Sequence, residues 1–216
     1  MKKYVILASL AGALCFTAHA GNTNKVAEAT EVAAPAKARA YKVDVASSNL
    51  KWHAKKVTGE HLGSIGLQSG EMTVNGSKIV GGTFVIDMGS ITCSDIKDDQ
   101  YNAKLVGHLK SDDFFSVEKH PTATFKISSV KPVAKAEAGK PNATITGDLT
   151  IKGITNQVTF PATVSVKNGV ASAKADVTID RTKYDVRYRS NSFFDNLGDK
   201  AIYDDFVVSL DVTAKQ

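Results

Sequence analysis

The sequence predicts an all-β protein, an antiparallel barrel of about eight strands with one short helical insertion. Three observations carry this expectation. Apolar residues recur at every second position along most of the chain, Gly-bearing turns fall between consecutive runs, and a single segment has a helical period instead. Closure follows from edge chemistry, because long alternating strands with free edges would expose a row of unpaired N–H and C=O groups. A two-sheet sandwich is the alternative that the same pattern allows.

The chain opens with Lys2 and Lys3, an apolar stretch from Tyr4 to Phe16, and Ala18-His19-Ala20, a small-x-small cleavage pattern. Residues 1–20 therefore read as a secretory signal peptide, since the apolar run falls short of the ~20 residues a spanning helix needs. Cys15 raises a lipid anchor as a minor alternative, but Leu14 stands where such a signal needs a small residue. Residues 21–40 hold small, polar and charged side chains with no aromatic among them, and read as a flexible linker ahead of a domain over 41–216.

Charge and cysteine content narrow the function. Of 27 cationic and 22 acidic residues, loss of Lys2 and Lys3 with the leader leaves a mature charge of +3, too mild to call for nucleic acid. Cys93 is the one cysteine past the leader, which excludes an internal disulfide and makes it a packing thiol.

Within 41–216 the strands are justified in turn. Tyr41/Val43/Val45, Leu50/Trp52/Ala54, Met72/Val74, Phe84/Ile86/Met88 and Ala123/Phe125/Ile127 are short alternating sets, with Val130 out of phase as a bulge would put it. Ile145/Gly147/Leu149/Ile151, the row Val158 to Val166, the row Ala171 to Ile179 and the row Phe206 to Ala214 are longer. Asn75-Gly76, Lys152-Gly153 and Asn168-Gly169 supply residues that tolerate the positive φ of tight hairpins. Asp98 to Lys110 is the helix, with Tyr101, Leu105 and Leu109 four apart on one face. Ser111 is placed to cap a second turn carrying Phe114 and Phe115. Asn191 to Asp205 lacks a clean period and reads as a loop.

Catalytic patterns are missing: the chain has no G-x-S-x-G, no Gly-rich phosphate loop and no H-E-x-x-H. His53, His61, His108 and His120 show no paired spacing, so no metal site and no cofactor is expected, and Asp95, Asp98 and Asp99 read as helix-start carboxylates. The stretch Arg181 to Arg189 interleaves cations with tyrosines. It reads as a solvated strand end, or as a head-group rim made by Arg181, Lys183, Arg187 and Arg189. The small row Ala171/Ala173/Ala175 leaves space on an inward face, for a ligand or for a large side chain from another element.

Four separated blocks resemble the YceI-like family of exported, lipocalin-like polyisoprenoid-binding proteins: YKVDVASSNLKWHAKKVTGEHLGSIGLQSGEM from Tyr41, HLKSDDFFSVEKHPTATFKI from His108, GDLTIKGITNQVTFPA from Gly147 and ADVTIDRTKYDVRY from Ala175. The resemblance runs from about Tyr41 to Ala214. It implies an extended lipocalin-like barrel without catalytic residues, in the periplasm or outside the cell, that binds a polyisoprenoid or similar amphiphile, with room for transient membrane contact. Where the family usually places Gly after an Arg and an aromatic, this chain has Asp185.

The strand phases select the ligand-facing positions: Trp52, Phe84, Ile86, Met88, Phe125, Ile127, Leu149, Ile151, Phe160, Val177, Ile179 and Phe206, with Phe114 and Phe115 from the helical cap. Burial of one five-carbon isoprene unit is favourable by about 4 kcal/mol before ordering costs. The competing reading is an exported interaction or stress-protection module that acts through its surface, its barrel filled by its own side chains.

Overall fold

The computed structural model describes residues 37–216; the signal peptide and most of the linker read from the sequence lie outside the described residues. Nine strands are present among the described residues: β1 (Arg39–Val43), β2 (Asn49–Lys56), β3 (Gly59–Asn75), β4 (Lys78–Cys93), β5 (Thr122–Pro132), β6 (Ala143–Ile151), β7 (Ile154–Lys167), β8 (Val170–Asp180) and β9 (Ile202–Lys215). A helix, α1 (Asp99–Lys110), joins β4 to β5. Strand β1 starts at Arg39, inside the segment assigned to the linker.

Strands β2 to β9 pair in sequence order, all antiparallel, and β2 pairs with β9 to close an eight-stranded cylinder. β1 lies in the gap between β3 and β9, pairing Tyr41 with Met72 and Val43 with Ala214. No strand of the cylinder is left with a free edge, which satisfies the expectation drawn from edge chemistry.

The hairpins follow their turn residues. Lys152 and Gly153 (φ 51° and 76°) and Asn168 and Gly169 (φ 51° and 74°) both take the paired positive φ of the type I′ turn, whose twist matches that of the flanking strands. Val45, expected in the first strand, instead opens a short 3₁₀ turn capped by Asp44, whose carboxylate accepts from the Ser47 N–H.

Strands β3 and β4 are far longer than the sequence pattern indicated. Their pairing shifts register between Ser64 and Gly66, between Leu67 and Ser69, and between Thr73 and Val74. Each bulge resets the alternation and bends the ribbon, so no single period spans Gly59 to Asn75. The bulge expected near Val130 falls between Ile127 and Ser129.

α1 starts where Asp98 accepts a hydrogen bond from the Tyr101 N–H. Leu105 and Leu109 are half-buried on the expected face, but Tyr101 is 66% exposed and Asn102 is half-buried beside it. Asn102 fixes the helix to the chain, its amide donating to the carbonyls of Cys93 and Ile96. Ser111 does not cap a second turn, because its hydroxyl donates back to the His108 carbonyl at the end of α1.

The ends of the cylinder are unlike. α1, the turns over 111–120 and the segment 181–201 all cover the end where β4 and β8 finish. His108 ties these caps together, packing edge-on against Phe114 and Tyr188 with ring centroids 4.9 and 4.6 Å apart. Toward the opposite end Met72, Val74, Ala162, Ala171 and Ala214 are fully buried.

Candidate functional site

Below the caps the barrel encloses a cavity of about 210 Å³. Its wall is built by alternation: side chains at every second residue of a strand point inward, so each strand contributes a row. Leu50, Trp52 and Ala54 come from β2, Ile65 and Leu67 from β3, Phe84, Ile86 and Met88 from β4, and Phe206, Val208 and Leu210 from β9. α1 and the turn after it add Leu109, Phe114 and Phe115. Every ligand-facing position selected from the strand phases lines this space.

Two close approaches hold the aromatics in place. A Cβ on Gly147 would stand 2.5 Å from the Phe125 ring, and one on Gly63 would stand 2.6 Å from the Trp52 ring and 1.8 Å from the Thr92 carbonyl oxygen. Gly63 thus gives the indole room to lie flat against β3, with its N–H donating to the Thr92 carbonyl at 2.9 Å. Phe125 packs between Phe84 and Phe160, at centroid distances of 6.3 and 5.7 Å. The small row of β8 contributes Ala173 to the wall, while Ala171 is packed at zero exposure away from it.

The basic stretch is split by the fold. β8 ends at Asp180, and Arg181–Tyr184 forms a 3₁₀ turn rather than a strand end. Lys183, Arg187 and Arg189 are exposed; Arg187 pairs with Asp185 and lies over the Phe193 ring, and Arg189 lies over Tyr188. Arg181 departs from the rim expected of it: it is 4% exposed and turned inward as a charged residue of the cavity wall. Its N–H groups donate to the carbonyls of Tyr203, Val186, Tyr188 and Ile202, and the Asp204 carboxylate lies 3.2 Å away. A desolvated guanidinium requires such partners. Burial pulls its pKa below the usual value, against the opposing pull of Asp204 and Asp180.

Asp185, the departure from the resemblance noted in the sequence, sits in the left-handed region at φ 57° and ends the 3₁₀ turn. Gly enters that region at no steric cost, and Asp is among the few other residues that tolerate it.

Val186, Ile202 and Tyr203 complete the capped end and were not selected from the sequence. Ile202 and Tyr203 begin β9 inside the stretch read as a loop, and no apolar alternation marks them because Asp204 and Asp205 follow directly.

Three histidines find carboxylates across the fold: His53 with Glu60 at 2.9 Å, His108 with Asp113 at 2.8 Å and His61 with Asp95 at 2.8 Å. At the last pair Cys93 donates to Asp95 at 3.3 Å. Burial raises the pKa of Cys93. Burial also acts to raise that of Asp95, but the Leu62 N–H, His61 and Cys93 outweigh it and hold the carboxyl at about 2.

A closed antiparallel barrel with a capped, apolar lumen is a lipocalin-like barrel. The chain belongs to the YceI-like family, whose domain description matches residues 41–214. Among curated proteins it is similar to the UPF0312 protein of Ectopseudomonas mendocina, 41% identical over 73 residues, which are 34% of this chain and 36% of that protein. A UPF0312 protein of Pseudomonas aeruginosa is 40% identical over 76 residues, 35% of this chain and 37% of its own length. The matched stretches thus span little more than a third of these relatives.

Among solved structures, the fold is similar to Burkholderia cenocepacia BcnA, with TM-score 0.59, 24% identity and coverage of 80% of this chain and 99% of that one. It is also similar to a polyisoprenoid binding domain from Saccharophagus degradans implicated in plant cell wall breakdown, with TM-score 0.55, 15% identity and coverage of 81% and 97%.

Proposed function

We propose that this protein is a non-enzymatic carrier that encloses the hydrocarbon chain of a polyisoprenoid or similar amphiphilic lipid outside the cytoplasm. The observation that carries this reading is the apolar cavity itself. An apolar void of roughly 150 Å³ stays dry and takes up hydrocarbon instead, and this one is larger, at about 210 Å³. Each methylene moved into it from water gains about 0.8 kcal/mol.

Arg181 is a structural cation in this reading, since its donors are committed to the protein's own carbonyls and not to a ligand head group. The polyisoprenoid binding domain named above shares the fold, which is consistent with a ligand of that class. Export rests on the leader pattern of residues 1–20. A module acting through its surface requires a filled barrel, so the cavity favours the carrier.

Native mass spectrometry of the purified protein tests the proposal. The expected result is a co-purifying lipid mass, or uptake of geranylgeraniol from detergent micelles at one per chain. A protein that stays empty in both experiments overturns it.

A further inference from the structure

We infer that His61, Cys93 and Asp95 form a binding site for a divalent transition-metal ion of the zinc, cobalt, nickel and copper class, at the rim of the barrel beside the root of α1. The inference stands apart from lipid binding, because none of the three residues lines the cavity.

The three come from two places that sheet pairing brings together. Gly63 of β3 stands opposite Cys93, the last residue of β4, and His61 lies two residues along β3 on the same face as Gly63. Asp95 follows in the segment that leads to α1. An imidazole nitrogen, the thiol Sγ and a carboxylate oxygen all lie within 4.8 Å of one another. In a tetrahedral zinc site, with metal–ligand bonds of about 2.0–2.3 Å, neighbouring ligand atoms are about 3.4 Å apart, so small side-chain rotations close the set around an ion.

The combination of a thiolate, an imidazole and a carboxylate selects borderline and softer cations over magnesium or calcium, which prefer oxygen alone. Three protein ligands leave a fourth position for water.

The supporting shell is present. Asp95 Oδ1 accepts from the Leu62 N–H at 2.8 Å, which orients the carboxylate and frees Oδ2 to serve as ligand in place of its contact with His61. Asn102 holds the connecting segment at both the Cys93 and Ile96 carbonyls, so the site is anchored to α1 as well as to the sheet. His61 and Asp95 are about a quarter to a third exposed, at 31% and 25% of their side-chain surface, which gives an ion a path from solvent.

The test uses the full chain in a Cys15→Ser background, where Cys93 is the one cysteine. Titration with Co²⁺ alone should give a thiolate-to-cobalt charge-transfer band with tetrahedral d–d bands, saturating at one ion per chain, and Zn²⁺ should displace them. Cys93→Ser should abolish the charge-transfer band, and His61→Ala should weaken binding by about 100-fold. His53→Ala, which disrupts a His–carboxylate pair with no thiol, should leave the titration unchanged.

Alkylation of Cys93 by iodoacetamide gives a second readout that needs no substitution at the site. Zn²⁺ should slow it in the parent chain. A parent chain with no charge-transfer band, or alkylation at the same rate with and without Zn²⁺, overturns the site.

Discussion

Tyr184 and Gly147 show how differently single residues can be constrained in one fold. Tyr184 is 1% exposed and its hydroxyl has no hydrogen-bond partner among the described residues, so it carries a desolvation cost with no compensating bond. Tyr184→Phe should therefore leave stability at pH 7 unchanged or raise it by about 1 kcal/mol, as read by urea denaturation. Burial first, and then Asp180, push the phenol up to about 12 from 10.0. A group whose folded pKa is raised contributes stability that is complete below its unfolded pKa and lost as pH rises toward the folded one. The parent should lose on the order of 2 kcal/mol more than Tyr184→Phe between pH 9 and pH 12. Equal losses would show that the phenol ionises freely in the folded state. Gly147 is the converse case. Gly147→Ala drives a methyl into the Phe125 ring and the Lys126 carbonyl, and should cost about 1–3 kcal/mol by the same assay.

At the scale of elements, the capped end depends on Arg181, which bonds to carbonyls in both the 186–188 turn and the start of β9. Arg181→Met removes the charge, takes the guanidinium donors from those carbonyls and leaves Asp204 without its cationic partner, held by the Ser192 hydroxyl alone. The expected outcome is a loss of about 3–5 kcal/mol, with hydrogen exchange rising first over 186–204 while the β5–β6–β7 strands stay protected. Uniform loss of protection would show that the cap is no separate unit. The sequence presented Arg181 as one of four similar cations, and no local pattern separates the one that turns inward from those that stay in water. The helix was legible because capping is local: Asp98 sits before a helical run and accepts from the Tyr101 N–H. Its buried face was legible at Leu105 and Leu109 but not in the first turn, because Tyr101 and Asn102 differ by one position on the same helix and the barrel surface beneath them decides which is covered. β3 was hidden for a related reason, since bulges break the period on which strand reading relies.

For the whole molecule, the wall of the cavity and the packing of the barrel are drawn from the same apolar rows, and their energetic roles separate by experiment. Phe160 is 6% exposed and lines the cavity. Phe160→Trp adds volume toward the lumen, so it should reduce retention of geranylgeraniol at least tenfold while the urea midpoint changes little. Parallel loss of retention and stability would mark Phe160 as packing alone. The same comparison at Leu149, which faces the lumen from the adjoining β6 strand, checks that the effect belongs to the space and not to one residue.

The sequence alone determined the strand rows, the tight hairpins at Lys152-Gly153 and Asn168-Gly169, the helix start and the apolar positions that face inward, because alternation, positive φ and capping are properties of neighbouring residues. Tertiary structure decided what depends on residues far apart in the chain: that β2 meets β9, that Arg181 is enclosed by carbonyls, and that His61 comes to lie beside Cys93 and Asp95. It also decided that the rows stand far enough apart to leave a cavity, since the closing curvature and strand stagger of a cylinder are properties of all eight strands together.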